Sequence, residues 1–220
     1  MFKDYKFRAL NSLQAAIPAS VRVGVISAIA AFAVSACDGG FLSSLDGSSP
    51  TELAEAVTEF RVVPASRALI NVPNALIVLE RELDGALEQR ITLPNSTSLQ
   101  GENTIILRAQ TNMTASRSRL VLDDVLRQFG GAPTPFGSVT DSALTSISDQ
   151  YGDITYMTRA PGGDVTCALA FRRTQMGARA LPRGASALDI MLRNCISGPV
   201  ERALAPIGQG AFGLASPVLQ

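Results

Sequence analysis

The alternation of apolar and polar positions predicts a run of strands in the first half of the chain. In 87–93, apolar residues alternate with polar ones, a period of two that is typical of a half-buried strand. Apolar runs predict two further strands, at 75–81 and 103–110. Because the connections between them are short and polar, we expect the three strands to form an antiparallel meander.

The second half predicts a helix, a hairpin and another strand. Apolar residues recur at helical spacing in 118–129, and two glycines follow as a stop signal. Two alternating arms flank a Pro-Gly-Gly-Asp turn and predict a hairpin over 152–173. The pattern in 188–195 predicts one more strand, and a last helix is expected from Pro199, a favoured first-turn residue.

Three strands and a helix, followed by three strands and a helix, predict an α+β fold. We expect a mainly antiparallel sheet with both helices on one face. Between the halves, 131–150 is rich in Ser, Thr, Pro and Gly, which predicts a mobile or partner-binding loop with a short helix at 142–148. The predicted organisation is a signal peptide (1–36) that forms an N-terminal helix, a flexible tether (37–50), a single α+β domain (51–210) and a flexible tail (211–220).

A lipoprotein signal is the most specific motif in the chain. A basic leader precedes a short apolar run that ends in Val34-Ser35-Ala36-Cys37. Val34, Ser35 and Ala36 would be recognised by the signal peptidase, and the thiol of Cys37 would carry the lipid. The alternatives are a transmembrane anchor or an ordinary cleaved leader, but spanning a bilayer takes about 20 apolar residues and this run is shorter.

This signal predicts where the protein works. The residues after Cys37 would lie on the periplasmic side of the cell envelope, held to a membrane by their N-terminal lipid. Asp38 follows the lipidated position, as in lipoproteins that enteric bacteria keep in the inner membrane. The membrane is therefore the first predicted partner.

Composition excludes several kinds of function. The chain has 19 basic and 19 acidic residues. Four of the basic residues and one of the acidic residues lie in the leader, so the rest of the chain has 15 arginines and 18 acids, a net charge of −3. This mild acidity argues against a nucleic-acid partner. The chain has no His, which removes His-based nucleophile activation and the commonest zinc ligand, and we expect no metal or cofactor.

A pair of carboxylates is the one catalytic arrangement that this composition leaves open. The available acids in the second half are Asp149, Asp153, Asp164 and Asp189. The simpler interpretation is that they are solvated residues of turns and strand ends. The nearby arginines Arg172, Arg173 and Arg193 would then pair with Asp153, Asp164 or Asp189.

Two cysteines remain once Cys37 carries a lipid. An even pair in an oxidising compartment favours a disulfide between Cys167 and Cys195. The alternative is two separate buried thiols. A redox-active pair is disfavoured because the spacing is not C-x-x-C.

The second half resembles a known family. The run YGDITYMTRAPGGDVTCALAFRR, followed by ALDIMLRNC and VERALAPIG, resembles the BcsN family of cellulose biosynthesis proteins from alphaproteobacteria. The shared order is an aromatic-glycine start, a turn ending in Gly-Asp, and a cysteine in each of two strands. Upstream, ALIVLERELDGALEQRITLPN and GEN resemble the first strands of the family. The resemblance covers about residues 60–210, with a longer loop at 131–150.

The resemblance implies a non-catalytic accessory protein of cellulose (exopolysaccharide) biosynthesis or export. Other cellulose synthase or envelope components, and the glucan itself, would be its partners. Only Cys167 and Cys195 are carried over from the family, as a structural disulfide. An envelope assembly lipoprotein of a secretion or pilus system is the main alternative, and a carboxylate-type glycan hydrolase is the third.

Overall fold

The computed structural model describes residues 55–111, 120–175, 177–178 and 180–213. The predicted signal peptide and tether, including Val34, Ser35, Ala36 and Cys37, lie outside these residues. None of the helices in the described ranges is long and apolar enough to cross a membrane.

Eight strands form one sheet in the described part of the chain. They are β1 (Arg61–Val63), β2 (Ile77–Leu83), β3 (Ala86–Leu93), β4 (Asn103–Gln110), β5 (Thr145–Asp149), β6 (Gly152–Gly162), β7 (Val165–Thr174) and β8 (Ala187–Ser197). The helices are α1 (Leu122–Gln128) and α2 (Val200–Leu204), and short 3-10 turns lie at Ala65–Arg67, Asp141–Ala143, Ala205–Ile207 and Gln209–Ala211.

Two four-stranded meanders meet in the middle of this sheet. The strand order is β1-β2-β3-β4-β8-β7-β6-β5, and every neighbouring pair is antiparallel. The prediction of an α+β fold with a mainly antiparallel sheet is therefore confirmed. Each half holds one strand more than predicted, because β1 and β5 were not recognised.

The predicted short helix at 142–148 is wrong. A 3-10 turn occupies Asp141–Ala143, and Thr145–Asp149 is strand β5. Its sequence, TSISD, has too few apolar residues to show a period. Pairing with β6 determines its conformation, with Ile147 opposite Ile154.

The two helices lie on opposite faces of the sheet, which corrects the prediction that both cover one face. Along β7, Ala168 and Ala170 pack in one core with α2, whereas Leu169 and Phe171 pack in the other with α1. We call these the first face and the second face. The first-face core includes Val78, Ile91, Leu107, Ala170, Ile190 and Leu204, and the second-face core includes Ile106, Val125, Phe136, Leu169, Phe171 and Met191.

The packed domain extends beyond the predicted boundary at 210. Ala211 and Phe212, which the sequence assigned to a flexible tail, are buried in the first-face core. The Phe212 ring lies 5.0 Å from the Tyr151 ring, and the backbone N–H of Asn71 donates to the carbonyl oxygen of Ala211 at 2.8 Å. These residues therefore close the first face.

Candidate functional site

The structure joins Cys167 and Cys195 in a buried disulfide. The two residues lie opposite each other on β7 and β8, with an S–S distance of 2.05 Å and Cα atoms 3.9 Å apart. The Asn103 side chain bonds both the N–H and the C=O of Cys195 from the β4 side, at 2.8 and 2.9 Å. The cysteines therefore occupy a non-hydrogen-bonded position of the β7–β8 ladder, where antiparallel strands come closest.

Asp149, one of the four candidate catalytic acids, is held by Arg172 on the first face. The Arg172 guanidinium donates to both carboxylate oxygens, and the N–H of Tyr151 donates to Oδ1 at 2.8 Å. Burial opposes ionisation of this carboxyl, but the hydrogen bonds from Arg172 and Tyr151 outweigh it and lower the pKa of Asp149. Arg172 also donates to the carbonyl of Ile207 at 2.9 Å, which ties the C-terminal segment to β7.

The other three candidate acids lie at separate places in the fold. Asp189 is fully buried on the second face, where it accepts hydrogen bonds from Arg173 at 2.5 and 2.8 Å and from Gln110 at 2.7 Å. Asp153 is exposed and accepts from Ser148 at 2.6 Å. Asp164 lies in the β6–β7 turn, where its backbone carbonyl accepts from Gly198. Since Asp149 and Asp189 lie on opposite faces, the structure does not gather the four candidates into one site.

Sequence analysis missed a row of alternating charges across the second face. Five side chains on neighbouring strands lie directly opposite one another in register: Arg81, Glu88, Arg108, Asp189 and Arg173. Arg81 and Arg108 both donate to Oε2 of Glu88, at 2.8 and 2.9 Å. The pairing of Arg173 with Asp189 is one that the sequence predicted. The sequence shows each charge separately, and only strand register brings them together.

Glu88 is the centre of this charged row. Its side chain is almost completely buried, and Arg108 also bonds the Glu55 carboxylate at 2.9 Å. Burial opposes ionisation of Glu88, but hydrogen bonds from Arg81 and Arg108 and their positive charges outweigh it, so its pKa is lowered. The Phe60 ring covers the Arg81 guanidinium at 4.5 Å. The charged row is therefore closed to solvent at this end.

The charged row opens into a groove at its other end. A cavity of about 940 Å³ lies on the second face between the start of α1 and strands β5, β6 and β7. Polar side chains line it, among them Asp141, Ser146, Asp153, Thr155 and Arg173. We call this the ionic groove, since two aspartates, Asp141 and Asp153, line it together with Arg173, which is paired with Asp189.

The loop beside the ionic groove is anchored, although the sequence predicted a mobile or partner-binding loop; the structure does not test partner binding. Phe136 is buried in the second-face core, and Arg193 donates to the carbonyl of Thr134 at 2.6 Å. Arg193 also donates to the carbonyls of Gln100 and Glu102 at 2.8 Å. Its predicted pairing with an aspartate is wrong: these partners are carbonyl oxygens.

Arg193 is a buried cation that clamps two loops. Burial lowers the pKa of its guanidinium, and Asn103 Oδ1 accepts from it at 3.1 Å. Gly101 makes room for it: a Cβ atom there would lie 2.9 Å from the guanidinium, and the φ angle of +98° favours glycine. The clamp holds the β3–β4 loop and the segment after α1 in one arrangement.

A second groove lies on the first face, and most of its polar lining is uncharged. It measures about 580 Å³ and lies between α2 and the turn before β2. Its polar residues are Asn71, Asn74, Ser96, Asn194, Ser197 and one cation, Arg202, set among proline and aliphatic side chains. We call it the amide groove. Amide donors and acceptors of this kind suit a neutral polyhydroxyl ligand.

Among the described residues, no three His, Cys, Asp or Glu side chains are grouped so that they could hold a metal ion. Comparison with known proteins finds no matching family model, no matching curated protein and no matching solved structure.

Proposed function

We propose that this chain is a lipid-anchored envelope protein that acts, without catalysis of its own, in bacterial cellulose biosynthesis or export. The observation that carries the proposal is the order of motifs in 151–207, which resembles the BcsN family, behind the lipoprotein signal that ends at Cys37. The signal implies the location, and the resemblance implies the pathway.

The buried disulfide supports an envelope location. Disulfides form and persist in oxidising compartments such as the bacterial periplasm, and are rare in the cytosol. Cys167 and Cys195 join the neighbouring strands β7 and β8 of the second meander at a fully buried position. A periplasmic domain would gain stability from such a bond.

The two grooves suit two kinds of partner. In this proposal the amide groove contacts glucan, because the side chains of Asn71 and Asn74 can exchange hydrogen bonds with sugar hydroxyls, whereas Asn194 is buried and donates to the carbonyl of Ala203 at 2.8 Å. The ionic groove and the 131–144 segment contact other synthase or envelope components, where charged side chains provide specificity. The lipid would keep both surfaces near the membrane.

The location is tested by the mass of the protein extracted from membranes, before and after reduction with thiol alkylation. We expect a mass that lacks residues 1–36 and carries acyl chains, with two alkylated thiols appearing only after reduction. Cys37→Ala should remain unprocessed and unacylated, whereas Ser44→Ala in the tether should match the wild type. A full-length, unacylated wild-type chain with free thiols would contradict the proposed location.

The pathway is tested by deleting the gene and measuring cellulose output, fibre morphology and the position of the fibres on the cell. We expect a defect that wild-type and Ser44→Ala genes restore and that Cys37→Ala does not. A cellulose synthase gene beside this one would add support. Unchanged cellulose, with a defect in secretion or piliation instead, would favour an assembly lipoprotein of those systems.

A further inference from the structure

The two edges of the sheet differ in how they are protected. At one edge, β1 has only three residues, begins with Arg61, whose side chain is 57% exposed, and is followed by Pro64. Short length, charge and proline are the devices by which natural edge strands avoid pairing with other chains. β1 is therefore a closed edge.

The opposite edge, β5, lacks these devices. It has five residues, contains no proline and no basic residue, and in the described ranges pairs with β6 alone. Its one charge, on Asp149, is neutralised by Arg172. Thr145, Ser146, Ile147 and Ser148 are all exposed. An edge of this kind offers its outer N–H and C=O groups to another strand.

The sequence of β5 is complementary to itself in the antiparallel direction. A two-fold axis at Ile147 would place that residue opposite its own copy, and the Ile147 side chain is 44% exposed. Ser146 would then lie opposite Ser148, and Thr145 opposite Asp149. These are an apolar pair, a hydroxyl pair and a hydroxyl-carboxylate pair, so no like charges meet.

We infer that β5 pairs antiparallel with β5 of a second copy of this chain, about a two-fold axis at Ile147, to form one sheet through two protomers. Closed two-fold pairing is the commonest arrangement of homo-oligomers. The amide groove has no β5 residue in its lining, whereas Ser146 of β5 lines the ionic groove, so the contact would border the ionic groove alone. The inference does not depend on a role in cellulose synthesis.

Cross-linking of the full chain in detergent tests the register. Ile147→Cys should give a disulfide-linked dimer on mild oxidation, because the two Cβ atoms would face each other across the axis. A mixture of Ser146→Cys and Ser148→Cys chains should cross-link more than either variant alone. Val62→Cys, at an exposed position on β1, should give no more dimer than the wild type. Since every chain in the comparison contains Cys37, the wild type measures any cross-linking through that residue.

Sedimentation tests the contact without a cross-link. A five-residue strand pair buries little area, so we expect self-association that depends on concentration. Ile147→Lys places two ammonium groups opposite each other and should abolish it with an unchanged melting temperature. Should that variant misfold, the double variant Ser146→Lys/Ser148→Lys replaces it, because these two exposed positions lie opposite each other in this register and would place lysines opposite lysines. A dimer that persists in a folded variant, or equal cross-linking at positions 62 and 147, would overturn the inference.

Discussion

At the residue scale, the arginines show how a side chain can be charged and still be structural. Arg172 and Arg173 pair with carboxylates, whereas Arg193 is surrounded by carbonyl oxygens from two loops. The sequence predicted Asp153, Asp164 or Asp189 as partners for all three, because it shows charge but not distance. The prediction is confirmed for Arg173, which pairs with Asp189, and is wrong for Arg172, which pairs with Asp149. For Arg193, backbone carbonyls were closer, and a planar guanidinium with five N–H donors can satisfy several of them together.

Arg193→Met should release this clamp. The carbonyls of Gln100, Glu102 and Thr134 would lose their donor in a part-buried site, and we expect the free energy of unfolding to fall by about 2 kcal/mol. Hydrogen exchange should accelerate in 94–102 and 131–144. Arg127→Met, at an exposed arginine paired only within α1, is the matched control and should change stability by less than about 0.5 kcal/mol. Equal effects of the two substitutions would contradict the clamp.

At the scale of elements, the strands with clear patterns were predicted well and the short ones were not. The bounds of β4 match the prediction residue for residue, because an apolar run between polar turns leaves little ambiguity. β5 was missed since its five residues are polar or exposed. The last 3-10 turn, Gln209–Ala211, was missed because its Gly-rich sequence resembles a frayed tail, whereas its position over the first face buries Ala211 and Phe212.

Phe212→Ala should show that the last segment belongs to the domain. The Phe212 ring packs on Tyr151 and lies 4.7 Å from the Arg172 guanidinium, so its loss leaves a cavity beside a buried charge. We expect the free energy of unfolding in urea to fall by about 3 kcal/mol. Gln209→Ala, at an exposed position three residues earlier, should have little effect. Equal free energies of unfolding for the two variants would instead indicate a flexible tail.

At the scale of the whole molecule, buried carboxylates couple stability to pH. Glu80, buried on β2, accepts hydrogen bonds from Arg61, Arg67 and Gln89. The pKa values of Glu80, Glu88 and Asp149 are lowered, in each case because hydrogen bonds and nearby arginines outweigh the effect of burial. A carboxyl with a lowered pKa in the folded state stabilises the fold above its ordinary pKa, and this contribution is lost as the pH falls through the folded value. Stability should therefore decline below about pH 4.

Glu88→Gln tests the charged row. The substitution leaves Arg81 and Arg108 without their shared carboxylate, so we expect the free energy of unfolding at pH 7 to fall by about 3 kcal/mol. The difference in free energy of unfolding between the variant and the wild type should narrow on acidification, because Glu88 of the wild type becomes protonated. Glu59→Gln, at an exposed position, should follow the wild-type curve. A gap that stays constant from pH 7 to pH 3 would contradict this origin.

By itself the sequence determined the class of fold, most strand positions and the candidate cysteines, because period, turn residues and residue type are local properties. It also predicts a lipoprotein signal, and that prediction is tested by experiment. Only the tertiary structure decided that the helices lie on opposite faces and that Arg81, Glu88, Arg108, Asp189 and Arg173 share one row. The grooves and the open β5 edge arise in the same way: strand register brings distant residues together, and no local pattern records which strands become neighbours.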